Sequence, residues 1–145
     1  MHFVPIPTSK PEQDYKETAL YKTSQFWLPF LPRIAKRGNE PVDQMMDAIV
    51  SGRIGIALVW DDATNEPRAL VGIQLRRSGV NLIGEIVWLV GWGSKDWQGL
   101  LGELEEYLRD HLRCTIIKPI CRPGWSRLLK SRGYSTTHFV MEKTL

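Results

Sequence analysis

The segment CTIIKPICRPGWSRLLKSRGY, residues 114–134, decides how this chain is read. Thr115 to Pro119 has the make-up of a short strand. From Pro123 the period changes. Trp125, Leu128 and Leu129 recur at helical spacing as far as Arg132, and Gly133 suits a helix stop. Tyr134 to Lys143 then returns to a period of two and predicts a last strand. A strand, a helix and a strand in so short a stretch make an α/β unit.

Working outward, Trp97, Leu100, Leu101, Leu104, Leu108 and Leu112 share one stripe, while Glu103, Glu105, Glu106, Arg109 and Asp110 take the other side. That spacing predicts an amphipathic helix, entered through a loop from Gly91 to Lys95. Upstream of the loop, Arg53–Trp60, Arg68–Arg76 and Leu82–Val90 alternate as strands. Their connections, Asp61–Pro67 and Ser78–Asn81, are short, so the three predict an antiparallel meander. Before them lie two helical patterns. The first, from Asp14, carries Ala19, Tyr21, Phe26, Trp27, Phe30, Leu31 and Ile34; Pro29 and Pro32 predict a stop or kink near Leu28. In the second, Asn39 can cap, Pro41 suits the first turn, Val42, Met45, Met46, Ile49 and Val50 form a face, and Gly52 ends it. Residues 1–13 read as an extended, proline-bearing arm and 14–145 as one domain. The order α-α-β-β-β-α-β-α-β predicts an α/β (α+β) fold: a mixed, mostly antiparallel sheet of about five or six strands, flanked by helices.

At 145 residues and 16.7 kDa the chain is long enough for one self-sufficient core. Its 43% hydrophobic and 24% charged residues exclude wholesale disorder. No apolar run approaches the ~20 residues that span a bilayer. Met1 to Lys10 has no apolar secretory core, and Cys114 and Cys121 make neither a disulfide framework nor a zinc site, so synthesis in the cytoplasm is expected. A net charge of +3 is small for a nucleic-acid binder. Arg122, Arg127, Lys130 and Arg132 do cluster, either as the solvated face of a helix or as a phosphate-tracking patch. Six tryptophans point to a bulky core or an aromatic contact surface.

With the order of elements, the 114–134 segment and its sequel Met141, Glu142 and Lys143 resemble the GNAT superfamily of acyl-CoA N-acyltransferases. The resemblance runs from about Asp14 to the C-terminus. Its most specific part, Arg122 to Tyr134, is similar to a subset encoded by tailed bacteriophages. It implies the mixed sheet above and a coenzyme cradle, Gln/Arg-x-x-Gly-x-Gly/Ala, at the start of the long helix. There, bare backbone N–H groups meet a pyrophosphate. Laid on this chain, the motif falls on Ser94, Trp97 and Gly99, of which Gly99 alone agrees. Asp96 would cap the same N–H groups and repel phosphate. Gly91 and Gly93 can form another anion-binding turn, or simply allow a tight connection.

The resemblance also implies a tyrosine acid four residues before a Gly-Phe-like pair. Here the pair is Gly133 and Tyr134, which puts Leu129 in the tyrosine's place. Tyr134 is near, and as the first residue of a strand it packs or caps. For the base, Glu85 would alternate with Val87 and Leu89, either facing a cleft or pairing with an arginine across the strands. His2, His111 and His138 are too scattered for a triad, and no metal is expected; Ser126 and Ser135 lack a neighbouring base. Cys121 beside Arg122 has either an activated or a buried, inert thiol, and turn chemistry accounts for Asp61 and Asp62.

Three functions remain. The favoured one is a phage structural or assembly protein, made in the host cytoplasm and carried into the virion, with no cofactor and with protein partners or a second copy of itself. Phe26, Trp27, Trp92 and Trp125 would form its interface, with residues 1–11 and Phe26–Leu31 as docking elements. The first alternative is an acetyl-CoA-dependent N-acetyltransferase using Glu85 as base and Gly91, Gly93 and Gly99 for the coenzyme. The second is a nucleic-acid-associated module.

Overall fold

The three period-two runs upstream of the long helix form strands, and the N-terminal arm adds one more. In the computed structural model, which describes residues 1–8, 10, 12–38, 40–92, 98–121, 123–138 and 140–145, the strands are β1 (His2–Ile6), β2 (Gly55–Asp61), β3 (Glu66–Ser78), β4 (Asn81–Gly91) and β5 (Ile116–Pro119). They order in space as in sequence, with β1 to β4 antiparallel and β5 parallel to β4. The extended N-terminal residues thus include an edge strand, with Val4 opposite Leu58.

The helices are α1 (Ala19–Lys22), α2 (Ser24–Trp27), α3 (Leu31–Gly38), α4 (Val42–Val50), α5 (Leu101–Glu106) and α6 (Ser126–Ser131). The Thr18 hydroxyl caps α1 by accepting from the Tyr21 N–H at 3.2 Å. The break expected near Leu28 is a 3₁₀ turn, Leu28–Phe30, where Pro29 has no N–H to donate. Pro41 stands at the N-cap of α4, one place ahead of the first turn, and Gly52 follows it at φ +79°. The Asn39 cap lies outside the described residues. Beyond α5 the chain winds into a π-helical turn, Tyr107–His111, closed by the Leu112 N–H on the Tyr107 carbonyl at 3.2 Å. Among the described residues, no helix is long and apolar enough to cross a membrane.

The two sheet faces are covered differently. On one, α1–α4 bury Leu20, Trp27, Phe30, Leu31, Met45 and Ile49 against Ile56, Leu58, Leu70, Trp88 and Val90. On the other, Leu104 and Leu108 of the long helical segment pack on Ala57, Val71, Ile73 and Ile86. Val42 and Val50, expected on the buried face of α4, are exposed; Met45, Ala48 and Ile49 are the residues turned inward.

One expected element is absent. Among the described residues none after Pro119 is in a strand, so Tyr134–Lys143 does not add to the sheet. The polar run Ser135, Thr136, Thr137 and His138 presents no apolar face to bury, and Val140 and Met141 are 82% and 91% exposed.

Candidate functional site

The parallel ladder between β4 and β5 stops halfway along β4. Ile83 to Ile86 are paired with Ile116 to Pro119, whereas β4 runs on to Gly91. The cause is Pro119, which has no N–H for the next rung; Ile120, one residue later, donates to the Ile86 carbonyl at 3.0 Å. At the same level β4 bulges. Ile86 is opposite Ile73 and Trp88 opposite Gly72, leaving Val87 without a partner on β3. A parting of parallel strands beside a bulge opens one end of the sheet, the sort of place where bulges re-aim side chains.

The bulge also re-sorts the faces of β4. Val87 packs with the α1–α4 core and Leu89 with the opposite one, so Glu85, Val87 and Leu89 do not share a face as expected. Glu85 accepts a hydrogen bond from Arg76 Nε at 2.6 Å, its side chain only 15% exposed, and Lys118 is its partner across the parallel ladder. Of the two readings of Glu85, this is the cross-strand arginine pair. Glu40, a carboxylate the sequence reading missed, lies just ahead of α4 and reaches the end of β4. Its Oε2 accepts from the Trp88 Nε1–H at 3.3 Å. Only the tertiary fold joins these two, 48 residues apart.

The candidate cradle residues divide. A Cβ on Gly91 would lie 2.5 Å from the Arg68 carbonyl oxygen and 2.6 Å from Ala69 Cβ, so strand packing alone requires glycine there. Gly99 sits in the 3₁₀ turn Gln98–Leu100 with nothing within 4 Å of such a Cβ. Gly93, Ser94, Asp96 and Trp97 lie outside the described residues. Under this turn runs a shallow groove lined by Phe3, Val59, Val71, Leu89, Leu100, Leu101 and Leu104. Its cavity volume, about 20 Å³, is far below the ~300–1,000 Å³ of small-molecule clefts, and its walls are hydrocarbon and aromatic throughout.

Leu129 is buried, its carbonyl accepting the Tyr134 N–H at 3.0 Å. The Tyr134 hydroxyl donates to Glu105 Oε1 at 2.9 Å, and Arg132 Nε stands 3.8 Å from the same oxygen. Burial, and then the bond to Glu105, raise the Tyr134 phenol above its usual range. Tyr134 therefore ties the C-terminal segment to α5. Cys121 is exposed rather than buried, and partial desolvation pushes its thiol up, against an activated nucleophile. Asp61 accepts from the Ala63 N–H at 3.0 Å, the expected turn chemistry, and from Arg68 Nε at 2.8 Å. On α6, Arg127 and Lys130 are exposed while Arg132 turns toward Glu105, which divides the basic cluster; Arg122 lies outside the described residues.

The four tryptophan and phenylalanine interface candidates do not form one surface. Trp27 is fully buried, its indole N–H donating to the Leu20 carbonyl at 3.0 Å, so it belongs to the core. Phe26 is half-buried edge-on to Trp60, with ring centres 5.1 Å apart. Trp125 packs on Val59 and Ala69 of the opposite sheet face. Trp92 is 48% exposed, beside Phe30 and with the Arg33 guanidinium 4.2 Å above its ring.

This sheet, parted between β4 and β5 and clasped by helices on both faces, is the GNAT-like fold. Solved structures agree. A protein described as a probable acetyltransferase superposes with a TM-score of 0.68 at 10% identity, over 100% of this chain and 97% of its own. The ribosomal-protein-alanine N-acetyltransferase of Brucella melitensis biovar Abortus 2308 does so at 0.60 and 10%, over 86% and 94%. The glucosamine-6-phosphate N-acetyltransferase of Arabidopsis thaliana gives 0.54 and 14%, over 71% and 76%. No family model matches the sequence, and no curated protein does. At these identities the likeness establishes the fold, and activity has to be argued from the site.

Proposed function

We propose that this chain is a bacteriophage GNAT-fold protein that works by binding other proteins in particle assembly rather than by acyl transfer. Glu85 carries the reading. Acyl transfer to an amine needs a base for the ammonium proton and an acid for the departing thiolate. The one carboxylate on β4 has an oxygen engaged by Arg76 at 2.6 Å and Lys118 beside it. Leu129, in the acid's expected place, offers only hydrocarbon, and the Tyr134 hydroxyl is committed to Glu105. Gly91 is explained by the approach of β3. The phage setting rests on the resemblance of residues 122–134. Thiol release from acetyl-CoA, measured over a panel of primary amines, tests the reading: none above the buffer rate is expected, and catalytic turnover would overturn it. Mass spectrometry of purified particles tests the setting, with the chain expected among the particle proteins or their assembly intermediates.

A second reading, an acetyl-CoA-dependent N-acetyltransferase, is favoured by the parting of β4 and β5 at Pro119. Val87 has no register partner on β3 at that opening, and Glu40, on the same side of the sheet as Val87, becomes a candidate base in place of Glu85. In this reading acetyl-CoA supplies the acyl group as a thioester, and Glu40 accepts the amine's proton.

A further inference from the structure

The outward face of α3 gathers positive charge. Arg33, Lys36 and Arg37 are spaced at three and four residues, so their side chains are neighbours on that face, while Leu31, Ile34 and Ala35 pack inward. Lys36 and Arg37 are exposed, and among the described residues none of the three cations is in an ion pair. Carboxylates nearby in sequence are used otherwise: Glu40 accepts from Trp88, and Asp43 from the Gln44 N–H. Arg33 holds its guanidinium carbon 4.2 Å from the centre of the Trp92 ring. Its Nη1 is shielded from water and has no acceptor among the described residues. A shielded, charged donor without an acceptor is costly, and a carboxylate is a group whose two oxygens match the guanidinium fork.

Apolar surface borders these cations. Leu28, Pro29 and Pro32 are exposed around the turn that leads into α3, and Trp92, beside Phe30, is half exposed. Tryptophan and arginine are among the residues that most often carry binding energy at protein interfaces. A nucleic-acid backbone is commonly held by about 6–10 phosphate contacts. Three cations fringed by apolar side chains fall short of that, and the α6 cluster does not extend them, since Arg132 turns to Glu105.

We propose that α3 and Trp92 dock an acidic segment of a partner protein, its carboxylates on Arg33, Lys36 and Arg37 and an apolar side chain against Trp92 and Leu28. A carboxylate reaching Arg33 supplies the acceptor that its Nη1 lacks. The inference rests on the protein-binding reading and deepens it by naming the partner's chemistry. The probe is a fluorescein-labelled oligoglutamate carrying one leucine, followed by fluorescence anisotropy on the full chain. It should bind at low salt and weaken as added salt screens the exposed cations. Lys36→Glu/Arg37→Glu should weaken it by about tenfold or more with the melting temperature unchanged, because both side chains are exposed. Arg33→Gln should also weaken it, and Arg33→Lys should not restore it, since an ammonium lacks the fork. Arg127→Glu/Lys130→Glu on α6 alters the net charge equally and should leave the affinity within about twofold. No binding to the wild-type chain would overturn the proposal. So would equal losses from the α3 and α6 reversals, which would mean attraction to net charge alone. Tighter binding of oligothymidylate through the same three residues would overturn it in favour of nucleic acid. Acetyl-CoA turnover alongside intact oligoglutamate binding would sink the non-catalytic reading and leave this surface standing.

Discussion

Gly91→Ala separates a glycine kept for a phosphate from one kept for the sheet. An added Cβ would lie 2.5 Å from the Arg68 carbonyl oxygen, 2.6 Å from Ala69 Cβ and 2.9 Å from Ala69 Cα. Ordinary contacts between such atoms begin near ~3.5 Å. The first and third of these neighbours are backbone, so relief requires moving β3 rather than turning a side chain. Ala69 is also fully buried. Overpacking costs typically about 1–3 kcal/mol, and backbone contacts place this case at about 2–3 kcal/mol. For a chain of this size that corresponds to a Tm lowered by about 4–12 °C. Thermal melts, with urea melts to show an unchanged m-value, would measure it. Gly99→Ala is the control: nothing lies within 4 Å of its Cβ, and its φ is not positive. There alanine should be neutral or stabilise by up to about 1 kcal/mol through the unfolded chain. A Gly91→Ala loss below about 0.5 kcal/mol would refute the packing account and return Gly91 to the candidates for anion binding.

Other outcomes follow from the same contacts. Leu104→Ala, at the centre of the α5 contact with the sheet, should cost about 2–5 kcal/mol in urea melts; a loss under about 1 kcal/mol would mean that α5 packs loosely. The Tyr134 phenol is raised in the folded chain, so its contribution to stability is full below about pH 10 and is lost as pH rises further through the folded value. Tyr15 and Tyr107 are raised as well, so ultraviolet titration should show several late-ionising tyrosines, of which Glu105→Gln brings Tyr134 closer to the ordinary range. Asp61 is held low, chiefly by its hydrogen bond from Arg68. Its contribution is therefore present above about pH 4 and lost as pH falls through the folded value, and Arg68→Ala should flatten that acid limb of the stability profile.

The middle of the sheet was legible because β2, β3 and β4 each bury at least one face, whereas β1 was read as an extended arm. Alternation marked β2, β3 and β4 to within a few residues, and Pro29 marked the break after α2. The parallel pairing of β4 with β5 followed from the helix between them. The failures have local causes. Tyr134–Lys143 alternates in letters, but Ser135 to His138 provide nothing to bury, so period two did not make a strand. Val87 and Leu89 were placed on one face because a bulge leaves no mark in composition. Trp27 was read as a surface aromatic, whereas helix phase turns it inward beside Phe30 and Leu31. Glu40 had no sequence signal, since its partner Trp88 is met only after the sheet is assembled. For Glu85 both readings were open, and the choice depended on the reach of Arg76 across the hairpin.

Calorimetric titration of the unmodified chain with acetyl-CoA, and separately with coenzyme A, tests the central claim most directly. With Glu85 paired to Arg76, Leu129 in the acid's place and Gly91 committed to β3, no heat of binding is expected for either ligand. Micromolar binding of acetyl-CoA, accompanied by turnover that Glu40→Gln or Glu85→Gln abolishes, would contradict it and establish the opening between β4 and β5 as a working acyltransferase site.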